Sequence, residues 1–270
     1  MLVNGALGNT INAEDRGLAY GDGVFRTLRM QAGRPVCWER QYAKLQRDCG
    51  ALKISCPSAL VLFSELQQLG KTQPEGVAKI IITRGVSARG YAPAAAQSET
   101  TRILSINPSA AYPADYAKTG VRMHVCKVRL GHQVLLAGIK HLNRLENVLA
   151  ASEWQDKDVP EGLLTDVAGN IISGTRSNLF MLRGNILYTP NLSRCGVAGV
   201  QRDRVTDWSK QHGVTCKMAD FHMEELVQAD EIFLVNSVFG LWPVREVADY
   251  RRTQHPMAWK IQEWLNDERH

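Results

Sequence analysis

The chain has 270 residues, of which 44% are hydrophobic and 22% are charged, and its formal net charge is +5. This balance is typical of one large folded domain or of two packed lobes, and it excludes disordered, collagen-like and coiled-coil chains. No apolar stretch approaches the roughly 18 residues that a membrane span needs, and no block of basic residues occurs. We therefore expect neither a membrane protein nor a nucleic-acid binder.

The first residues and the cysteines bear on location and on metal binding. No basic region followed by an apolar one opens the chain, so we expect no secretory signal and a cytoplasmic protein. The six cysteines include no C-x-x-C pair, and the seven histidines show no H-x-x-x-H spacing. The sequence therefore predicts reduced thiols and no dedicated metal site.

The first 110 residues predict a smaller α/β lobe. Short apolar runs at 25–30 and 35–38 flank Gly33 and indicate a hairpin. Apolar residues at spacings of three and four predict helices at 38–52 and 58–69. β-branched residues bounded by glycine or proline predict strands at 77–83 and 101–106.

Residues 111–120, rich in alanine and proline and without a sustained period, predict a linker to a larger lobe at 121–270. In that lobe a strand is expected at 121–128 and a helix with a broad apolar stripe at 141–154. Further strands are expected at 162–167, 170–173, 178–182, 185–188 and 231–236, and helices at 200–212 and 257–266. Without strict βαβ alternation, this order favours an α+β fold.

Lys140 follows a five-residue apolar run that we expect to be buried, at the start of the predicted helix. A desolvated lysine loses affinity for its proton and becomes a nucleophile that can form a Schiff base. The same position also suits a lysine whose ammonium group reaches solvent from the start of a helix.

A glycine-bracketed turn, GVAGVQR at 196–202, opens the helix predicted after it. Backbone amides at such a helix start bind phosphate, although many glycine turns only reverse the chain. Ser237 follows a predicted strand. It is either a further hydroxyl donor to the ligand or an ordinary turn residue. A candidate Schiff-base lysine together with a phosphate cradle favours pyridoxal 5'-phosphate as cofactor.

Several segments resemble those of the aminodeoxychorismate lyase family, which belongs to the fold-type IV pyridoxal-phosphate enzymes. The segments are DRGLAYGDG at 15–23, RGVSARGY at 84–91, GIKHLNRLEN at 138–147, SNLF at 177–180, GVAGVQR at 196–202 and NSVFGLWPV at 236–244. The resemblance implies the two-lobed fold-type IV architecture, with the active site between the lobes. It also implies a homodimer in which the smaller lobe helps to close each pocket.

The resemblance assigns roles to particular residues. Lys140 is similar to the lysine that holds the cofactor as a Schiff base. Val200 and Gln201 correspond to residues whose backbone amides bind the cofactor phosphate, and Ser237 adds a contact. Lys44 stands where the class usually has a phosphate-binding arginine, so it keeps the charge and loses the bidentate fork.

Ser173 departs from the class pattern. The class commonly has a glutamate at this position, whose carboxylate keeps the pyridine nitrogen protonated and the ring a strong electron sink. A serine hydroxyl can donate or accept a hydrogen bond but cannot supply that charge. Either the reaction tolerates a weaker electron sink, with Ser173 facing the cofactor, or the alignment with the class differs by one residue here.

The activity that the resemblance implies is conversion of 4-amino-4-deoxychorismate into 4-aminobenzoate and pyruvate on the route to folate. Forked guanidinium groups suit a dicarboxylate substrate, and the candidate substrate-binding residues are Arg84, Arg89, Tyr91, Arg144 and Arg176. Arg89 ranks first for its place in RGY. The alternatives are a D-amino-acid or branched-chain aminotransferase of the same fold, and a cofactor-binding protein without turnover.

Overall fold

A computed structural model of the protein describes residues 1–87, 90–93 and 99–267, in which the helices and strands form two contact units. The first unit contains the described residues of Met1–Ala110 together with Ile139–Asn143. The second contains the described residues of Ala111–Gly138 and Arg144–His270. Sheets and helices are mixed in each unit, which agrees with the α+β class expected from the sequence.

The first unit builds a sheet whose strand order is β2-β1-β6-β5-β3-β4. Its elements are β1 (Leu2–Val3), β2 (Ala6–Leu7), α1 (Arg16–Tyr20), β3 (Gly23–Gln31), β4 (Arg34–Pro35), α2 (Trp38–Ala51), α3 (Ala59–Gly70), β5 (Gly76–Thr83) and β6 (Arg102–Asn107). The neighbouring strands β3 and β5 are antiparallel and pair along nearly their whole length. These elements provide the frame on which the functional residues of the first unit are placed.

Alternation along β3 explains how this sheet packs. Val24, Leu28 and Met30 are all buried, because successive side chains of a strand point to opposite faces. Leu45 and Cys49 of α2 belong to the same core cluster. The predicted helix at 38–52 is therefore confirmed, with its apolar stripe facing the strand.

The hairpin between β3 and β4 differs from the predicted one in its second arm. Ala32 and Gly33 both have positive φ, of 48° and 74°, as a two-residue hairpin turn requires. The second arm ends at Pro35, and Trp38 begins α2 instead of extending the strand. The short arm has a consequence for Lys140, because β4 covers only the Met30–Gln31 end of β3.

The second unit builds a larger sheet in the order β12-β11-β10-β13-β14-β7-β8-β9, with β15 paired to β14. Its strands are β7 (Val121–Leu130), β8 (Glu161–Asp166), β9 (Ile171–Gly174), β10 (Asn178–Arg183), β11 (Ile186–Pro190), β12 (Thr215–Ala219), β13 (Glu231–Asn236), β14 (Gly240–Val247) and β15 (Tyr250–Arg251). Its helices are α4 (Asp115–Thr119), α5 (Leu145–Ala151), α6 (Val200–Gln211), α7 (Met223–Leu226) and α8 (Pro256–Asn266).

Residues 111–120, expected to form a linker, instead contain α4 and belong to the second unit. The rings of Tyr112 and Tyr116 pack edge-on against Trp242, with centroid separations of 4.9 and 5.2 Å. The side-chain amide of Gln262 donates to the carbonyl of Ala117 at 3.1 Å. Aromatic packing therefore attaches a segment whose composition suggested a flexible connection.

The helix predicted at 141–154 is wrong over its first turn, because α5 begins only at Leu145. Residues 139–143 are extended and pair with the end of β3 that β4 leaves uncovered. The amide of Phe25 donates to the carbonyl of Lys140 at 2.9 Å, and that of Leu142 to the carbonyl of Gly23 at 3.0 Å. Sheet pairing thus overrides a helical pattern in this segment.

Most of the apolar stripe of α5 is exposed. Leu145, Val148 and Leu149 are 76, 56 and 61% exposed. The side chain of Ala150, in contrast, is fully buried. The helix thus presents an apolar face that the described residues of this chain leave uncovered. No helix in the described residues has the length and apolar character that crossing a membrane requires.

Candidate active site

Lys140 lies in the first unit, although most of its sequence neighbours belong to the second. Its carbonyl accepts from Phe25, and its own amide donates to Asp48 Oδ2 at 3.0 Å. The next residue, His141, forms a β-bridge with Val24. The backbone of Lys140 is therefore held by β3 on one side and by α2 on the other.

The side chain of Lys140 is half-buried, and Nζ lies 4.5 Å from the centroid of the Phe25 ring. The apolar run before it is less buried than expected. Ile139 is buried in the core of the first unit, whereas Leu135 is 81% exposed. The lysine therefore owes its partial burial to Ile139, to Phe25 and to the sheet, and not to a continuous apolar run.

Lys44 lies on α2 and is half-buried. Asp48 follows it by four residues, so the two side chains share one face of the helix. The helix that carries the predicted phosphate-binding lysine thus also contacts the backbone of Lys140. This connection between two predicted site residues was absent from the sequence analysis.

The glycine turn before α6 forms the predicted cradle in the second unit. Gly199 is the N-cap of α6 and provides no capping side chain, so amides of the first helical turn face outward. The side chain of Asn178 braces the turn: Nδ2 donates to the Val197 carbonyl at 2.8 Å, and Oδ1 accepts from the Gly199 amide at 3.0 Å. Val200 and Gln201 are buried at this helix start. The arrangement suits an anion such as phosphate.

Ser173 and Ser237 lie in the same unit as this cradle. Ser173 is 7% exposed on β9. Ser237 follows β13 in a turn that Asn236 closes, since Asn236 Oδ1 accepts from the amides of Val238 and Phe239 at 2.8 Å. Both serines therefore lie in the unit that contains the cradle, and contact of either with a cofactor stays a prediction.

Glu161 is a buried acid near the predicted site residue Ser173, and the sequence analysis did not single it out. Its carboxylate is fully buried at the start of β8 and accepts from the amide and the hydroxyl of Thr175 and from the Ser177 hydroxyl at 2.8 Å. These bonds hold the turn between β9 and β10, next to Ser173. A buried acid next to the Thr-Arg-Ser turn at 175–177 is the feature that points to Glu161, because a buried carboxylate needs hydrogen-bond donors.

The guanidinium group of Arg84 donates hydrogen bonds to acceptors within the protein. It pairs with both oxygens of Asp22, through Nε at 2.8 Å and Nη2 at 3.0 Å, and donates to the carbonyls of Leu52 and Lys53. Arg16 donates to the same carboxylate at 2.8 Å. Hydrogen bonds from these two arginines lower the pKa of Asp22, against the effect of its partial burial. Substrate binding by Arg84 stays a prediction.

The other predicted substrate ligands that the structure describes are divided between the two units. Arg89 lies outside the described residues. Tyr91 is 87% exposed in the first unit, and its carbonyl accepts from Arg16 at 2.8 Å. In the second unit, Arg144 is the N-cap of α5, and Arg176 is exposed with Nε 3.8 Å from Glu161 Oε2. No distance yet assigns any of them to a substrate.

One trio of possible metal ligands contrasts with the expectation of no metal site. Donor atoms of His132, Asp166 and Cys195 lie within 4.8 Å of one another. Asp166, however, already accepts from His132 at 2.9 Å, from both nitrogens of Asn170 and from the amide of Ala168. We assign this carboxylate to the turn between β8 and β9 and propose no metal there.

Comparison with known proteins relates this geometry to a family. Residues 23–247, which include Lys140, the α6 cradle and Ser173, match the amino-transferase class IV family. The chain belongs to the class IV aminotransferase family. This membership confirms the resemblance predicted from the sequence.

Relatives within the class IV family include lyases and aminotransferases. The crystal structure of 4-amino-4-deoxychorismate lyase from Pseudomonas aeruginosa is 44% identical, covers 98% of both chains and has a TM-score of 0.94. Aminodeoxychorismate lyase of Vibrio harveyi is 34% identical over 91% of this chain and 90% of its own length. A Thermus thermophilus branched-chain amino acid aminotransferase, solved with pyridoxamine 5'-phosphate, shares the fold at 20% identity, with a TM-score of 0.82 over 96% of this chain and 88% of its own. The fold-type IV prediction is confirmed.

Proposed function

We propose that this protein is a 4-amino-4-deoxychorismate lyase that forms 4-aminobenzoate and pyruvate. The observation that carries the proposal is the 44% identity to the Pseudomonas aeruginosa lyase over 98% of both chains. A lysine at position 140 in a half-buried setting is the residue that the chemistry requires. In this proposal the product serves folate biosynthesis.

Pyridoxal 5'-phosphate fits the residues that are present. Its phosphate requires amide donors, and the first turn of α6 has no capping side chain to occupy them. Val200 and Gln201 would donate these amides, with Ser237 and Lys44 as additional donors. Its aldehyde requires an amine, which Lys140 would provide. When bound, the cofactor supplies an electron-accepting ring conjugated to the substrate's nitrogen.

Lys140 has two tasks in this proposal. Its amine would hold the cofactor through the aldehyde. Once the substrate is bound, Nζ would be the base that accepts the proton from C4 of the substrate ring. The Phe25 ring, 4.5 Å from Nζ, shields this amine on one side from solvent.

The substrate carries two carboxylates, which arginine recognises through paired N–H donors. We infer that Arg89, Tyr91, Arg144 and Arg176 include its ligands, with Arg89 first. Arg84 is the weaker candidate, because four of its hydrogen bonds go to Asp22, Leu52 and Lys53. The loss of the enolpyruvyl group makes the ring aromatic, which provides much of the driving force.

Ser173 is proposed to face the pyridine nitrogen of the cofactor. Its position on β9 in the same unit as the α6 cradle supports this role. A serine hydroxyl lacks the negative charge with which a glutamate keeps the pyridine nitrogen protonated. The cofactor ring is therefore a weaker electron sink beside Ser173. Because aromatisation drives the lyase step, the weaker electron sink is expected to suffice.

We also propose a homodimer, located in the cytoplasm. The exposed leucine and valine side chains of α5 form an apolar face of the kind that a second subunit covers. All six cysteines are unpaired, as is usual in a reducing compartment. Light scattering at micromolar concentration tests the dimer against the 30.0 kDa mass of one chain.

The deciding experiment combines spectroscopy with product analysis. The purified protein with pyridoxal 5'-phosphate is scanned before and after borohydride reduction, the labelled lysine is mapped, and 4-aminobenzoate is measured. We expect label on Lys140 and product formation. Conversion of the cofactor to its pyridoxamine form by amino acids, without 4-aminobenzoate, would indicate an aminotransferase instead. Cofactor on Lys140 with neither reaction would indicate a binding protein without turnover.

A further inference from the structure

A buried ion pair lies directly against the backbone of Lys140. Arg26 of β3 is 3% exposed and Asp48 of α2 is fully buried, and Arg26 Nη2 donates to Asp48 Oδ2. The same oxygen accepts the amide of Lys140 at 3.0 Å. The other oxygen, Oδ1, accepts from Nε and Nη2 of Arg47 at 3.2 and 2.9 Å.

The Arg26–Asp48 ion pair is not expected to stabilise the folded protein more than an apolar pair would. Taking two charges out of water costs free energy that their attraction often fails to return, and an apolar pair of similar size stabilises at least as well. Arg26 also retains a cost of burial, because its Nε has no hydrogen-bond partner in the described residues. Burial accordingly lowers the pKa of Arg26, against the opposing attraction of Asp48. A role beyond packing would account for the pair.

We propose that Asp48 is a positioning residue for Lys140. Its carboxylate fixes the peptide N–H of Lys140, and Arg26 in turn fixes the carboxylate. Lys44 lies on the same face of α2 one turn earlier. Asp48 therefore sets the place of the Lys140 amine relative to the helix that carries the proposed phosphate ligand. The consequence for catalysis rests on the proposed function, whereas the hydrogen bond itself does not.

A pair of double variants separates the hydrogen bond from the ion pair. Arg26→Gln with Asp48→Asn removes both charges but keeps an amide oxygen for the Lys140 N–H. Arg26→Met with Asp48→Leu removes both charges and that acceptor, without leaving one charge buried alone. Glu65→Leu with Arg102→Met is the matched control, because Arg102 Nε pairs with Glu65 Oε1 at 2.8 Å elsewhere in the same unit.

The readouts follow Lys140 and not only turnover. They are the rate of borohydride trapping at Lys140, the pH midpoint of the visible band of the lysine-bound cofactor, and kcat and KM for the lyase reaction. For the Met/Leu variant we expect slower trapping, a displaced pH midpoint and a kcat lower by about tenfold, with KM little changed. The Gln/Asn variant should lie closer to the parent in all of these, and the control variant should match the parent.

Two results would overturn the proposal. Equal losses in the Met/Leu and Gln/Asn variants would show that charge, and not the bond to Lys140, matters. A Met/Leu variant that matches the parent in trapping and pH midpoint would show that the contact positions nothing. A parent protein that binds the cofactor on Lys140 yet forms no 4-aminobenzoate would contradict the proposed function, while trapping and pH midpoint still decide on Asp48.

A measurement on the parent protein avoids variants that fail to fold. With selective 15N-lysine labelling, the amide signal of Lys140 is assigned by its loss in Lys140→Arg. An amide bonded to a buried carboxylate should appear downfield and exchange slowly with solvent. Rapid exchange of this amide in the folded holoenzyme would refute the positioning contact directly.

Discussion

The side chain of Asn178 bridges both ends of the turn that leads into α6, through the Val197 carbonyl at 2.8 Å and the Gly199 amide at 3.0 Å. Two hydrogen bonds from one residue hold the loop whose amides are proposed to bind phosphate. Asn178 starts β10, so the sheet determines where this loop stands. The cradle is thus supported by a residue that need not contact the cofactor itself.

Asn178→Ala should therefore weaken cofactor binding. Removing both bonds should lower the free energy of unfolding by about 1–3 kcal/mol and raise the dissociation constant for pyridoxal 5'-phosphate by about tenfold. Denaturant titration and equilibrium dialysis measure the two effects. Asn191→Ala is the control, since Asn191 caps an exposed turn through the Ser193 amide. An unchanged dissociation constant for Asn178→Ala would show that cofactor binding does not depend on the hydrogen bonds from Asn178 to this turn.

Lys140→Ala should remain folded and lose the visible band of the lysine-bound cofactor. Lyase activity should fall by about a thousandfold or more, because neither water nor another side chain replaces the amine as anchor and base. Lys79→Ala is a matched control, since Lys79 Nζ lies 5.4 Å from the same Phe25 ring. The mechanism would be refuted by borohydride fixing the cofactor to a lysine other than Lys140.

Lys44 should hold the phosphate by charge. Lys44→Ala should raise the dissociation constant for the cofactor by about tenfold or more, whereas Lys44→Arg should retain binding, since arginine offers more donors to the same anion. The comparison is made by fluorescence titration, with Lys71→Ala on the end of α3 as control. Equal cofactor affinity in the parent and Lys44→Ala would place the phosphate away from α2.

Local patterns predicted much of the fold because they depend on neighbours along the chain. The spacing of Leu45 and Cys49 identified α2, and the β-branched run at Ile80–82 identified β5. Ser58 caps α3 as its position suggests, accepting from the Val61 amide at 3.3 Å. Such elements can be predicted without knowledge of tertiary contacts.

Long-range pairing limited the prediction of the site. Residues 139–143 carry a helical pattern, and only the uncovered end of β3 makes them extended. Arg26 falls on the buried face of β3 beside Val24 and Leu28, which signals a buried charge. Its partner Asp48 becomes evident only once α2 is known to pack on that strand. Charges at buried strand positions were the signal that sequence reasoning left unused.

His255 should make stability depend on pH. It is fully buried before α8, and neither ring nitrogen has a hydrogen-bond partner within the described residues. Burial lowers the pKa of His255 in the folded protein. The unfolded state therefore binds the proton first, and stability is lost as pH falls below about 6.5, the ordinary histidine value.

The measurement is the free energy of unfolding at pH 7.5 and 5.5 for the parent and His255→Leu. The parent should lose up to about 1.4 kcal/mol more than the variant between these pH values. Glu231, whose pKa is raised by burial, shifts in the opposite sense: its contribution falls as pH rises through its ordinary range. Glu231 is present in both the parent and His255→Leu, so its effect cancels in the comparison, and a parent and variant with identical pH dependence would contradict the assignment to His255.

Ser173→Glu tests whether the electron sink limits this enzyme. A glutamate facing the pyridine nitrogen would stabilise the protonated ring and favour the carbanion chemistry on which transamination depends. The lyase step can couple proton loss to departure of the enolpyruvyl group, and it gains aromatic stabilisation directly. Ser173→Glu should therefore raise slow transamination with amino acids by a larger factor than 4-aminobenzoate formation.

Both rates are measured on one preparation and divided by cofactor content, with Ser173→Gln as a control of similar size that lacks the charge. Because Ser173 is 7% exposed on β9, unfolding curves must first show that the longer side chain is accommodated. Equal effects of Glu and Gln would assign the change to size. A larger gain in lyase activity than in transamination would show that the sink does limit the lyase, and that aromatisation does not relieve the requirement for a glutamate.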